Sequence, residues 1–369
     1  MSGTSVDAVD AVLIEIDRSS SLSTIARASL DFPLALRRQI QSLQHPGSDE
    51  LERSARVALD LADVYAEAVQ EVLRDAGIIA RDITALGAHG QTVRHRPNAG
   101  FTIQLLNAAR LAESTGIPVV HDFRPADVAA GGQGAPLVPA FHAHVFASRT
   151  RSRAIVNIGG IANVSVLPAS DRAGALQVLG HDTGPGNTLL DQWHERHQQA
   201  SFDRGGEWAA SGNVDRRLLD SMLSDDYFAI RPPKSTGRDH FNLEWLDSHL
   251  ARHPGPAPTP RDVQASLAEL TAQTIARDCR SAGVDEVYLC GGGVFNQDLV
   301  RRIAEHLPGV ALASTEALGI APMAVEAAAF GWLAARRIDR LPGNLPAVTG
   351  ASGERILGTL SDPLGRLSV

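Results

Sequence analysis

The stretch AIVNIGGIANVSVL, residues 154–167, decides how the chain is read. Apolar residues run to Ile158, Gly159 and Gly160 interrupt them, and apolar residues resume as far as Leu167, which is the pattern of strand, tight turn, strand. Glycine enters backbone regions closed to other residues and lets a ligand lie directly against N–H groups. A loop of small residues beside a strand also opens the chain, in MSGTSVDAVDAVLIEI, residues 1–16, where Ser2, Gly3, Thr4 and Ser5 precede an apolar run over 11–16. The pattern restarts near residue 130, and this predicts two related α/β domains facing one cleft.

Working outward, residues 51–76 carry Leu61, Tyr65, Ala68, Val69 and Val72 at three- and four-residue spacing, a long helix with one buried stripe ended by Gly77. Short apolar strands at 83–87 and 117–120 lead into HGQTVRHRP and HDFRPADVAAGGQGAPLVP. Later, 264–279 reads as a helix, 284–289 as a strand stopping at CGGGVFN, and 321–335 as a helix with Pro322 in its first turn. A length of 369 residues predicts two domains, and 44% hydrophobic with 21% charged residues is the balance of a chain able to bury substantial cores. The net charge of -8, with arginines interrupted by acids, disfavours non-specific nucleic-acid binding and leaves a small anionic ligand open. Cys279 and Cys290, the only cysteines, lack CxxC spacing and read as buried thiols in a reducing compartment. No run approaches the roughly 20 apolar residues that span a bilayer, and no signal segment stands at the start, so the expected place is the cytoplasm without membrane contact.

Four glycine-rich turns fall at strand ends: SGTS at 2–5, IGGIAN at 158–163, DTGPGN at 182–187 and CGGGVFN at 290–296. One such turn is usually only a turn, but four favour a nucleotide phosphate site shared between domains. None matches the P-loop or the Rossmann fingerprint. Asp182, at a strand end before Gly-Pro-Gly, is placed to take a proton from a hydroxyl or water; its alternative reading is a cap for the turn or helix that follows. Asp7 and Asp10 suit a magnesium ion held through water, or a simple turn closure. His89, Gln91, His95, Asp122, Arg124 and Asp127 follow two consecutive strand ends, the edge of an α/β sheet where ligands sit, and arginine offers a fork for carboxylate or phosphate. His142 and His144 diverge on a helix and make a poor metal pair. Lys234 in RPPKSTGR reads as a phosphate contact or as a surface lysine on a Pro-Pro bend.

In order along the chain, MSGTSVDAVD, GAHGQTVRHRP, DFRPADVAAGGQGAPLVPAFH, NIGGIAN, GHDTGPGN, PPKSTGRDHFN, CGGGVFN and TGA at 349–351 resemble the anhydro-N-acetylmuramic acid kinases over essentially the whole length. The resemblance implies an actin-like, hexokinase-like (ribonuclease H-like) fold: two related α/β domains, 1–127 plus 336–369 and 128–335, around a hinged nucleotide cleft, generally as a homodimer. It implies ATP and Mg²⁺ acting on 1,6-anhydro-N-acetylmuramic acid in cell-wall recycling. Water adds across the anhydro bond and O6 is phosphorylated, giving N-acetylmuramic acid 6-phosphate. By the same resemblance, Ser2, Gly3, Thr4, Ser5, Val6, Asp7, Ala8 and Val9 lie in the ATP phosphate loop, and Asn157, Gly159 and Gly160 in a second one. Gly291, Gly292, Gly293 and Asn296 fall near the nucleotide. Asp182 matches the catalytic base; His89, Gln91, Arg124, Asp127 and Glu326 fall on the sugar side; Asp7 and Asp182 approach the metal through water. The chain departs from the pattern twice, lacking the short strand that normally precedes MSGTS and carrying Ala8 where glycine is usual. Alanine costs strain of about 1 kcal/mol if that position needs φ above zero. The expectation is weakened ATP binding or stability in the chain as written, with a start upstream as the simplest explanation.

Overall fold

The computed structural model describes residues 1–3, 6, 8–17, 21–171, 177–232 and 234–363. Thr4, Ser5 and Asp7 of the first expected phosphate loop lie outside them. The chain divides into two compact units, Met1–Val145 with Ala324–Val369, and Phe146–Met323.

In the first unit, β1 (Ala8–Ile16) and β2 (Leu22–Asp31) pair antiparallel, β3 (Leu86–Gly87) follows, β4 (Gln91–Arg96) and β5 (Phe101–Leu105) form a hairpin, and β6 (Val119–His121) pairs parallel with β3. The helix Glu50–Ala76 buries Leu61, Tyr65, Ala68 and Val72 as its spacing predicts, and it ends at Gly77 with φ 65°. These side chains share a core with Val9, Ile40, Leu111 and Val119, so the stripe read from the sequence is the face that closes the unit over its strands.

The second unit holds β7 (Arg153–Ile158), β8 (Ile161–Leu167), β9 (Leu179–Pro185), β10 (Glu286–Cys290) and β11 (Ala311–Ser314). They form one sheet in the order β11-β10-β7-β8-β9. The hairpin pairs β7–β8 and β8–β9 are antiparallel, while β10 runs parallel to both β7 and β11. Parallel neighbours need a crossover, and part of it here is the helix Pro260–Ser281, which packs Ala272, Ile275, Ala276 and Cys279 against Val156, Val164 and Val287 of the sheet. Cys279 and Cys290 are buried free thiols, as their spacing predicts. β12 (Thr359–Ser361), in the closing stretch of the first unit, pairs antiparallel with β6.

Both unit limits differ from the expected 127/128 and 335/336. The helix Val325–Ile338 lies so close to the first unit's strands that a Cβ on Gly87 would meet the Phe330 carbonyl oxygen at 2.0 Å, and one on Gly331 would meet Ile14 Cδ1 at 2.8 Å. The rings of Phe141 and Trp332, 6.1 Å apart, bring most of the helix Val138–Phe146 with it. Pro322 precedes the Val325–Ile338 helix instead of opening it, and its carbonyl accepts from the Gly291 N–H at 3.1 Å.

The strain expected at Ala8 is absent. Ala8 is extended in β1, opposite Asp31, while the left-handed residue of this segment is Val6, φ 55°, a β-branched side chain in a region that L-residues avoid. Residues ahead of the strand are tied to it by a bridge between Ser2 and Val9 and by the Asp10 N–H donating to the Met1 carbonyl at 2.9 Å.

Candidate active site

Sheet register in the second unit sets three polar residues in one row. Asn157 of β7 lies opposite Asn163 of β8, and Asn163 lies opposite Asp182 of β9. Residues in register on neighbouring strands share a face, so two amides and a carboxylate, all half-buried, stand together beside the Gly159-Gly160 turn. The β8–β9 register shifts between Ala162 and Asn163, because Thr183 is one residue more than β8 can match. Thr183 is buried and donates its hydroxyl to the Ala162 carbonyl at 3.2 Å. A bulge of this kind re-aims the adjacent side chain, here that of Asp182.

Asp182 is gripped from one segment, residues 227–236. Its N–H donates to the Lys234 carbonyl at 3.1 Å, its carbonyl accepts from the Tyr227 hydroxyl at 2.7 Å, and its carboxylate Oδ2 accepts from the Thr236 N–H at 3.0 Å. Burial pushes its pKa up to about 6, against the opposing pull of the Thr236 N–H, His181 and Lys234. A carboxyl so placed is mostly ionised at neutral pH and is still a usable proton acceptor. Lys234 is not a surface lysine: its side chain is 3% exposed, with Nζ 3.7 Å from Asp278 Oδ2 and 4.8 Å from the centroid of the Tyr227 ring.

The glycine turns sort into two kinds. A Cβ on Gly186 would meet the Gly159 oxygen at 2.3 Å, one on Gly291 the Asn157 Oδ1 at 2.3 Å, and one on Gly293 the Ile158 Cγ2 at 2.2 Å. Packing alone demands glycine at those positions. At Gly159 the nearest atom would be 3.5 Å away and at Gly292 3.9 Å, so the fold itself would accept a side chain there. Gly160 lies beside the Arg238 guanidinium, 3.1 Å from its built Cβ. The carbonyls of Gly159 and Gly160 accept from the N–H groups of Asn187, Gly186 and Thr188 at 2.8–3.0 Å, locking the turn to the start of the helix Thr188–Gln198. Asn296 caps the helix Gln297–Glu305 by accepting from the Leu299 N–H at 2.9 Å.

In the first unit His89 and Arg124, one residue from each of the two strand ends, meet. His89 Nδ1 bonds the Gly90 carbonyl at 2.7 Å, while its Nε2 receives Arg124 Nε at 3.1 Å and Nη2 at 2.9 Å. Since a guanidinium only donates, Nδ1 carries the imidazole proton. Burial, with Arg124 beside it, holds His89 far below the ordinary imidazole range. Burial also draws Arg124 down to about 10, opposed by Glu326 and Asp127. Glu326, in the first turn of its helix, keeps open surface, yet desolvation by the surrounding protein raises its pKa, with Arg124 opposing. Gln91 donates from Nε2 to the Gly3 carbonyl at 3.2 Å, and its buried Oε1 has no partner. Ser2 Oγ lies 2.9 Å from the Tyr65 hydroxyl and donates to the Gly90 carbonyl at 3.1 Å.

Asp127 stands apart from the other residues expected on the sugar side. It is fully buried, with Oδ1 accepting from Asn344 Nδ2 and Thr349 Oγ1, both at 2.7 Å, and Oδ2 accepting from the Gly134 N–H at 2.8 Å. Its carboxylate braces a loop and has no face left for a ligand. Sequence reasoning missed Tyr227, Thr236 and Asn163 as partners of Asp182's position, although PPKSTGRDHFN and IGGIAN contain the last two.

Among the described residues no group of three His, Cys, Asp or Glu side chains could hold a metal ion. That excludes a protein-only cage there, and it suits Mg²⁺, which keeps most of its water and is shared between one or two carboxylates and substrate phosphates.

A family model described as Anhydro-N-acetylmuramic acid kinase matches residues 1–363. The anhydro-N-acetylmuramic acid kinase of Variovorax paradoxus (strain S110) is 50% identical over 366 residues, 98% of this chain and 97% of that one. The enzyme of the same name from Cupriavidus pinatubonensis (strain JMP 134 / LMG 1197) is 50% identical over 366 residues, 98% of this chain and 96% of that one. Among solved structures, the activator of the 2-hydroxyisocaproyl-CoA dehydratase from Clostridium difficile with bound ADPNP is similar over 90% of this chain and 94% of that one, at 12% identity and a TM-score of 0.44, a likeness too loose to bear on function.

Proposed function

The chain belongs to the anhydro-N-acetylmuramic acid kinase family, and from that premise we propose how its residues carry the family's reaction. The activity is that of a kinase that opens 1,6-anhydro-N-acetylmuramic acid with water and yields N-acetylmuramic acid 6-phosphate. The phosphoryl donor is ATP, and the two units are related actin-like, hexokinase-like domains; the mixed sheet order of the second unit supports that reading.

The observation that carries the mechanism is Asp182, half-buried, raised to about 6 and fixed at backbone and side chain by three hydrogen bonds. Its carboxylate takes a proton from a water as that water bonds to the anomeric carbon. The bond from the anomeric carbon to O6 breaks, O6 takes the γ-phosphoryl group, and ADP leaves. Holding the base on a rigid strand supplies orientation before the reaction begins.

Gly159 and Gly292 support the nucleotide's place. Neither glycine is required by packing or by a positive φ, and an N–H that must lie against a phosphate supplies the missing reason. By the family resemblance, Ser2, Gly3, Val6, Ala8 and Val9 would border the phosphates; Thr4, Ser5 and Asp7 complete that proposal outside the described residues. Asp182, through water, would hold Mg²⁺, which supplies charge neutralisation at the phosphates. On the sugar side, Arg124 offers its charge to the lactyl carboxylate, Glu326 accepts from sugar hydroxyls, His89 orients Arg124, and Gln91 Oε1 accepts one further donor. Asp127 acts indirectly, through the loop it braces. The family resemblance further supports a cytoplasmic homodimer, and no helix among the described residues is long and apolar enough to cross a membrane.

Incubation with ATP and the anhydro sugar in oxygen-18 water tests the coupled step. Label is expected at the anomeric hydroxyl of the phosphorylated product, and an unlabelled product would refute the role given to water.

A further inference from the structure

Behind Asp182 sits a pair of opposite charges that nucleotide and sugar binding leave unexplained. Lys234 and Asp278 have side chains 3% and 11% exposed, and Nζ lies 3.7 Å from Oδ2. Burying such a pair removes both ions from water, and apolar residues of the same size usually serve stability as well or better. The pair therefore calls for a reason other than stability, and its contacts supply one. Asp278 Oδ2 also accepts from His181 Nε2 at 3.1 Å, and Oδ1 faces Arg277 Nε at 3.5 Å. His181 immediately precedes Asp182, and the Lys234 carbonyl accepts the Asp182 N–H. Lys234 Nζ also lies over the ring of Tyr227, whose hydroxyl donates to the Asp182 carbonyl. Two of the three hydrogen bonds on Asp182 from the 227–236 segment thus lead back to one carboxylate on the Pro260–Ser281 helix, and the third comes from Thr236, two residues beyond Lys234.

We propose that Lys234, Tyr227 and Asp278 are positioning residues: anchored on Asp278, they hold the segment that aims the Asp182 carboxylate. This rests on Asp182 being the base. Misplacement of a reacting group by about 1 Å costs on the order of a hundredfold in rate, so loosening the anchor should appear in kcat, while the nucleotide and sugar contacts, and hence KM, stay.

The test measures kcat, both KM values and thermal unfolding for Lys234→Met, Lys234→Arg, Tyr227→Phe and Asp182→Asn. Lys234→Met should lower kcat by at least about tenfold with each KM within about threefold. Lys234→Arg, still able to pair with Asp278 and stack on Tyr227, should recover most of that loss. Tyr227→Phe keeps the ring and removes only the hydroxyl; it should lower kcat several-fold with at most a small fall in the unfolding transition, and it decides the matter if Lys234→Met does not fold. Unchanged kcat in Tyr227→Phe, or losses confined to KM, would overturn the proposal. Full activity in Asp182→Asn would instead defeat the reading of Asp182 as base. An inactive Asp182→Asn beside unimpaired Lys234→Met and Tyr227→Phe would defeat the anchor alone.

Discussion

Replacing Asp182 by asparagine should abolish the reaction and stabilise the protein at the same time. Burial raises the carboxyl from its ordinary 3.8 to about 6 in the folded chain. An acid whose folded pKa lies above its unfolded value favours folding only while protonated; above pH 6 it is ionised in both states, and the folded state bears the cost of the buried charge. A difference of about two pH units, at about 1.36 kcal/mol each, sets that cost near 3 kcal/mol. It falls to about 1.6 kcal/mol at pH 5 and about 0.5 kcal/mol at pH 4, as the folded-state acid takes up its proton. Asparagine is uncharged throughout and can still accept from the Thr236 N–H, though more weakly, so a net gain of about 2 kcal/mol is expected at pH 7.5. For a unit of this size that is about 4–8 °C in the unfolding midpoint. Trp193, Trp208 and Trp245 lie in the same unit as Asp182, against Trp332 in the other, so tryptophan fluorescence during thermal unfolding reports mainly on the unit in question. The variant should melt above the parent at pH 7.5, and the two curves should converge by pH 4. No advantage at pH 7.5, or an advantage independent of pH, would refute the claim that Asp182 is a desolvated carboxylate.

Four further outcomes follow from the same geometry. The kcat/KM profile should lose activity as pH falls through about 6, the folded value of Asp182; at pH 5 about a tenth of the activity should remain, whereas an ordinary aspartate would still be almost fully ionised. Gly159→Ala should fold normally and raise the KM for ATP by roughly tenfold if its N–H borders a phosphate. Gly186→Ala, whose Cβ would stand 2.3 Å from the Gly159 oxygen, should lose about 1–3 kcal/mol of stability in denaturant unfolding. Asp127→Ala leaves the Asn344 amide, the Thr349 hydroxyl and the Gly134 N–H without their acceptor. It should cost about 3 kcal/mol or more, and a variant of parental stability with only a raised sugar KM would show that Asp127 serves the ligand directly.

What the sequence discloses depends on how far the physical cause lies from the residue. The turn at Gly159-Gly160 is legible because two glycines break an apolar run, and turn and strands are all within fifteen residues. Asp182 is legible for a similar local reason, an acid at a strand end ahead of Gly-Pro-Gly. Its aim is not. The extra residue Thr183 becomes a bulge only against the length of β8, and the Thr236 N–H that holds the carboxylate is a backbone donor, which any residue but proline supplies. Asp127 and Arg124 read alike in sequence, polar groups after one strand, but partners at Asn344 and Thr349 turn the first into a brace while the second reaches His89.

Lys234 shows the same limit from the other side. Both readings open to the sequence treat it as exposed, because a lysine beside prolines carries no mark of burial. Its place is decided by Asp278, on a helix whose apolar spacing identifies the buried face and says nothing of the acid at its edge. Ala8 and Val6 complete the point. A substitution at a usual glycine position suggested strain, but strain belongs to φ, and in this chain the pairing with Asp31 keeps Ala8 extended while the left-handed turn falls on Val6. Residue type therefore marks where chemistry is available, and the long-range contacts of ordinary side chains determine which of those marks is aimed at a substrate.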